Sequence, residues 1–330
     1  MSLSERPLSS RLSLPWTGLV CVLFGLLMAG SVLAQPYGYS VNSRGNLPDS
    51  NDVNALWRVN LADGSVERVS EQGLPTGFFD LEALAINQDE QLFGADDDLK
   101  TLVRVSMVTG VASAVGGKTI NMGRALGANM DFGMTFDCQN RAFVVSDVEQ
   151  SLFSANTETG ELTLIGQAGS LGAPITDLAT FGDDTFGIGV GLDSEGNTVA
   201  PNLYRVDLET ATAELIGPLG DEASPYNNAG LSFDEEGTLW AMTDRRQVGG
   251  QDLPSEILTI DPNTGQATRK ATSIVGLESL AIAAPASCGR TVVTQAPPGL
   301  PIPVNSPYGL FLLLLSVLGL GVMNARRRSA

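Results

Sequence analysis

Nothing constrains the fold of this chain as tightly as a pattern that returns five times, at a period of about fifty residues. The copies are Leu56–Gly64 (LWRVNLADG), Leu102–Gly110 (LVRVSMVTG), Leu152–Gly160 (LFSANTETG), Leu203–Ala211 (LYRVDLETA) and Ile257–Gly265 (ILTIDPNTG). Each opens with a short alternation of apolar and polar residues, the period of a half-buried strand. A polar turn comes next, then a second strand such as Glu161–Gly166. Between the copies lies another recurring pattern of small and apolar residues: Ala83–Ile86, Gly133–Phe136, Leu178–Phe181, Gly230–Phe233 and Ser279–Ile282. The first four lead through a polar turn into a further strand, as in Asp234–Met242. One unit therefore holds four strands, with no helical period of useful length between them. Such units bury their faces only against neighbours, so the pattern predicts an all-β chain and a β-propeller.

The two ends of the repeat complement each other. Gly276–Ile282 (GLESLAI) repeats Asp80–Ile86 (DLEALAI), yet nothing blade-like comes after it. The start of the domain supplies only outer strands, at Tyr37–Val41, Leu56–Asn60 and Val66–Val69. The C-terminal strand is thus expected to complete the first blade and close a ring of five four-stranded blades. Closure of this kind removes a sheet edge that otherwise invites aggregation.

The termini read as sorting segments. Arg6 and Arg11 precede an apolar stretch from Leu19 to Leu33, and Ser31-Val32-Leu33-Ala34 supplies small residues before a cut. This is the layout of a secretory signal peptide over residues 1–34, with cleavage after Ala34. At the other end, Gly309–Ala325 is an uncharged apolar run succeeded at once by Arg326-Arg327-Arg328. That predicts a short transmembrane helix with its arginines on the cytoplasmic side. The preceding Ile302-Pro303-Val304-Asn305-Ser306-Pro307-Tyr308-Gly309 completes a tail that resembles the IPTL-type relatives of the PEP-CTERM sorting signals of Gram-negative bacteria. Ile302, Pro303, Ser306 and Gly309 keep that pattern; Val304, Asn305 and Pro307 depart from it, and Tyr308 stands where Trp is usual. The resemblance covers residues 302–330 and implies an exosortase-like processing enzyme, beside the signal peptidase, as a partner. Between the ends, residues 35–284 form the propeller. Residues 285–301, rich in Pro285, Pro297, Pro298 and Pro301, form a stiff linker. The expected location is the periplasm or cell surface, with the tail holding the chain in the membrane at least transiently.

Composition narrows the partners. Lys+Arg 19 against Asp+Glu 37 leaves a net charge of −18, which repels nucleic acid and anionic membrane surfaces. Of 3 cysteines, Cys21 falls in the signal peptide. Cys138 and Cys288 remain, and both leave the ring at the same end, so a disulfide between them and two free thiols stand as alternatives.

Histidine is absent, which excludes Ser-His-Asp and Cys-His catalysis and histidine-ligated metal sites. What remains is carboxylates. Glu82, Asp177 and Glu278 read as equivalent positions before the innermost strand, aimed at the channel mouth. Asp96 (with Asp97 and Asp98), Asp147, Asp193 and Asp244, the last succeeded by Arg245 and Arg246, read as ends of the second strand on the same face. An oxygen-rich ring suits a hard cation such as Ca²⁺ or two-carboxylate glycan hydrolysis. Aspartates at strand ends serve equally as turn residues. No other cofactor is implied. Trp57 and Trp240 read as blade packing, and Trp16 belongs to the signal. The expectation is a non-enzymatic module for an extracellular ligand or protein; a glycan hydrolase using Glu82, Asp177 and Glu278, or a structural matrix component, are the alternatives.

Overall fold

The computed structural model describes residues 36–42, 54–69, 76–78, 80–126, 131–191 and 199–288. The signal peptide, the sorting tail, most of the linker and Asp193 lie outside the described residues. Within them the chain is all-β, with one short 3-10 turn at Val115–Gly117 and no α-helix.

Four blades are four-stranded antiparallel sheets taken in chain order from the axis outward. The second blade is β4 (Leu81–Ile86), β5 (Leu92–Asp96), β6 (Thr101–Val105) and β7 (Ala112–Ala114). The third is β8 (Phe132–Phe136), β9 (Ala142–Ser146), β10 (Ser151–Ala155) and β11 (Leu162–Ile165). The fourth is β12 (Ile175–Phe181), β13 (Asp184–Gly189), β14 (Asn202–Asp207) and β15 (Thr212–Pro218). The fifth is β16 (Asn228–Phe233), β17 (Leu239–Val248), β18 (Gln251–Ile260) and β19 (Ala267–Val275).

The first blade is split between the two ends of the described chain. Its outer strands are β1 (Tyr37–Val41), β2 (Leu56–Asn60) and β3 (Val66–Arg68). Its innermost position is filled by residues 277–282, which bridge β1 through Tyr39 and Ala281 and reach Asn42 through Leu277. Tyr39 N–H donates to the Ala281 carbonyl at 2.7 Å, and Ala281 N–H returns the bond at 2.9 Å. The ring therefore closes at the seam that the repeat predicts.

The repeated turn has one chemistry. Asn156, Asp207 and Asp261 each accept backbone N–H bonds two residues on, and Ser106 does the same through its hydroxyl. The residue four positions on then donates its N–H back to the carbonyl of the turn's first residue, at 2.7–2.9 Å in all five copies. Ala211 takes this place in the fourth blade at φ 54, where the other copies carry glycine. Side-chain capping by Asx and Ser turns explains why those residues recur.

Packing between blades is aromatic and aliphatic. Phe93 and Phe136 meet at 5.3 Å between the second and third blades, and Phe233 meets Phe181 and Phe186 at 5.2 and 5.6 Å between the fourth and fifth. Around the axis the inner strands come closer than side chains permit. A Cβ on Gly133 would lie 2.2 Å from the Thr176 carbonyl oxygen, and one on Gly230 would lie 2.2 Å from the Leu280 nitrogen. Glycine is required there by space alone.

The compact unit runs to Cys288, past the expected boundary at Ala284. After Ile282 the chain does not leave the ring. The Pro285 carbonyl accepts from Gln88 Nε2 at 2.7 Å, and the Ala286 carbonyl accepts from Gly182 N–H at 2.9 Å. Cys288 is bonded to Cys138, 150 residues away in sequence. This segment floors one end of the axial channel, leaving beneath it about 20 Å³ lined mainly by apolar side chains such as Leu84, Met134, Leu178 and Leu231.

Candidate functional site

The opposite end of the ring is acidic. It is formed where inner strands begin and second strands end, so several blades deliver residues to one rim. The second blade contributes Asp80, Glu82, Asp96, Asp97 and Lys100, and the third contributes Asp131 and Asp147. The fifth blade adds Asp244 and Arg246, and residues 277–282 add Glu278.

Several of these carboxyls are held far from their ordinary titration range. Burial raises Asp80 to about 6, helped by the charges of Asp97, Asp98 and Asp96. Burial also raises Asp97 to about 6, against the pull of Lys100, whose ammonium pairs with it. Asp147 rises to about 7 through burial and the nearby Asp131. Glu82 is pushed well up by burial and then by Asp131, Glu278 and Asp80; its Oε2 accepts the Phe132 N–H at 3.0 Å. Burial raises Asp131 too, partly offset by a hydrogen bond from Glu82. Both carboxyls are thus pushed upward together, since close carboxylates resist double ionisation. Lys100 is 1% exposed and is the one lysine in the cluster. Arg246 bonds Asp244 Oδ2 through Nε at 2.8 Å and Glu278 Oε2 through Nη2 at 2.6 Å, tying the fifth blade to the seam.

The sequence-derived set divides on this geometry. Glu82 and Glu278 stand at the rim, but Asp177 does not share their position. The residue bulged out of register is Glu82 in the second blade and Thr176 in the fourth. Asp177 lies one step further in. Its Oδ1 accepts Met134 N–H at 2.9 Å and its Oδ2 accepts Leu231 N–H at 2.6 Å. It is a buried staple joining the inner strands of three blades, with its pKa raised well above the carboxylate range by burial. Glu278 is ion-paired with Arg246, and Asp177 spends both carboxylate oxygens on backbone N–H groups of the neighbouring blades.

The cation-binding candidates divide likewise. Asp147, Asp244 and Asp96 all belong to the rim, but Asp96 spends its oxygens on turn bonds, accepting Leu99 N–H at 2.7 Å and Asp80 N–H at 3.1 Å. Arg245 points away from the mouth and bonds Glu256 Oε1 at 2.9 Å; its neighbour Arg246 takes the rim position instead. Among the described residues, no three Asp, Glu or Cys side chains are placed to hold one metal ion. Three members of the rim, Asp80, Lys100 and Asp131, carry no mark in the strand pattern. Asp131 stands directly before Phe132-Gly133-Met134, which does belong to the repeat, so an alignment of the units flags it.

On the other face, a groove of about 530 Å³ runs between the third and fourth blades. Its arginines are already neutralised: Arg141 by Asp137 and Glu209, Arg205 by Asp184.

No protein-family model matches this chain, and no curated protein matches it. A catalytically inactive variant of virginiamycin B lyase from Staphylococcus aureus, solved with quinupristin, aligns at 14% identity with a TM-score of 0.38. The alignment covers 72% of this chain and 71% of the lyase. A protein of unknown function from Bacteroides caccae aligns at 11% identity with a TM-score of 0.44, covering 74% of this chain and 98% of that one. Likenesses this distant say nothing about ligand or chemistry. The propeller rests on its own strand order.

Proposed function

We propose that this chain is an exported propeller that binds a cationic ligand or a basic protein surface at its acidic mouth, without catalysing a reaction. One observation carries the reading. Asp80, Glu82, Asp97, Asp131 and Asp147 crowd one rim with raised pKa values, and among the described residues Lys100 and Arg246 are the cations that oppose them there. A fold keeps so unfavourable a cluster at a local cost, and such conflicts concentrate at functional sites. A cation entering the mouth relieves the repulsion. Export through residues 1–34 and sorting through residues 302–330 complete the proposal. The Cys138–Cys288 disulfide supports it, since such bonds persist in oxidising compartments.

The test is calorimetric titration of the chain with a hexalysine peptide at low ionic strength. The expected result is salt-sensitive binding that weakens about tenfold or more in the Asp97→Asn/Asp147→Asn variant. An Asp183→Asn/Asp184→Asn variant on the opposite face loses little. Equal losses in both variants, or no binding by the parent, contradict the proposal.

A further inference from the structure

The ring has a single seam that no hairpin guards. In the second to fifth blades the innermost strand is tied to its partner by a short turn, so it does not leave without unmaking that hairpin. Residues 277–282 instead pair with β1 from the far end of the chain; the bond from Val41 N–H to Ser279 Oγ spans 238 positions. The backbone bonds of this seam are the reciprocal pair between Tyr39 and Ala281 and a longer one from Glu278 N–H to the Val41 carbonyl, at 3.4 Å. Residues 283–288, just beyond the seam, are anchored to three other blades: to the second through Gln88, to the fourth through Gly182, and to the third through the Cys138–Cys288 bond. Only the last anchor is covalent.

We infer that the Cys138–Cys288 disulfide is a redox-sensitive latch, which holds the seam and the channel floor shut in an oxidising compartment and releases both when reduced. With a dithiol as reductant, one thiolate attacks a cysteine sulfur to give a mixed disulfide. The second thiol displaces the protein sulfur. Two electrons and two protons pass to Cys138 and Cys288, and the dithiol leaves as a cyclic disulfide. Pro285 and Ala286 then keep two hydrogen bonds, to Gln88 and Gly182, with no covalent tie behind them. The small apolar pocket that Pro285 covers, lined by Leu84, Met134, Leu178 and Leu231, opens to water.

The experiment is hydrogen exchange read by mass spectrometry on the full, folded, oxidised chain, with and without dithiothreitol. Reduction is verified by alkylation of Cys138 and Cys288. Amides in 277–288 and in Tyr37–Val41 are expected to exchange about tenfold faster or more, while those of β9 and β10 hold their protection. A Cys288→Ser chain shows the same pattern without reductant and does not respond to it. If that variant does not fold, the reduction of the pre-folded chain decides alone. The latch is overturned if exchange is unchanged after reduction, if it accelerates equally in all blades, or if the bridge resists the dithiol.

Discussion

Replacing Asp177 by alanine removes a carboxylate that accepts backbone N–H groups from the neighbouring blades on either side, Met134 on one and Leu231 on the other. Both donors lie in buried inner strands, and Asp177 itself is 2% exposed, so neither N–H gains a ready partner in water. Each buried donor left unmade costs about 1–3 kcal/mol. Against this, the variant no longer buries a carboxyl whose pKa burial has raised, which returns part of the loss. The net expectation is a destabilisation of about 2–4 kcal/mol, measured by urea denaturation tracked through the fluorescence of Trp57 and Trp240. Asp177→Asn is the sharper variant. Its amide supplies one acceptor oxygen but turns a second donor toward an N–H, so it should lose about half as much as alanine. An alanine variant within about 1 kcal/mol of the parent, or an asparagine variant more stable than it, refutes the staple.

The rim and the axis each supply a further prediction. Asp80, Asp97 and Asp147 have folded pKa values of about 6, 6 and 7, above the unfolded value near 4. The folded state therefore holds more protons, and the stability these groups contribute is present below about pH 4 and lost as pH rises through 6 to 7. The chain should melt several degrees higher at pH 5 than at pH 8 in thermal unfolding, and a rising melting temperature across that interval contradicts the assignment. Gly133→Ala places a Cβ 2.2–2.3 Å from the backbone of Thr176 and Asp177. It should cost about 3 kcal/mol or prevent folding, whereas Gly117→Ala, with open space around its Cβ, should cost about 1 kcal/mol through backbone conformation alone.

Most of the ring is legible in the sequence because propeller blades repeat both a strand pattern and a turn chemistry. The Asx and Ser turns before β7, β11, β15 and β19 mark every outer hairpin of the complete blades, and the duplicated Leu-Glu-x-Leu-Ala-Ile of Leu81–Ile86 and Leu277–Ile282 marks the closing seam. The site is less legible, for three physical reasons. A bulge shifts side-chain facing by one residue, so the strand pattern makes Asp177 look like an equivalent of Glu82. Aligning the units on Leu84-Ala85 and Leu178-Ala179 instead pairs Asp177 with Ala83. Neighbouring residues on a strand face opposite sides, which is why the structure exchanges Arg245 for Arg246 at the mouth. Asp80 and Asp131 stand just before the inner strands, outside the apolar alternation, and only the assembled ring brings Asp131 beside Glu82. The channel floor is hidden by composition, because Pro285 looks like the start of a linker.

The acidic mouth as a binding site is tested most directly by comparing stability and binding in one variant. In Asp97→Asn/Asp147→Asn, removal of the crowded charge should raise the melting temperature of the free chain at pH 8 by a few degrees. The same variant should lose the further rise that hexalysine produces in the parent. A variant that melts lower than the parent, or one that keeps the full hexalysine-induced rise, contradicts the assignment of the mouth as a binding site.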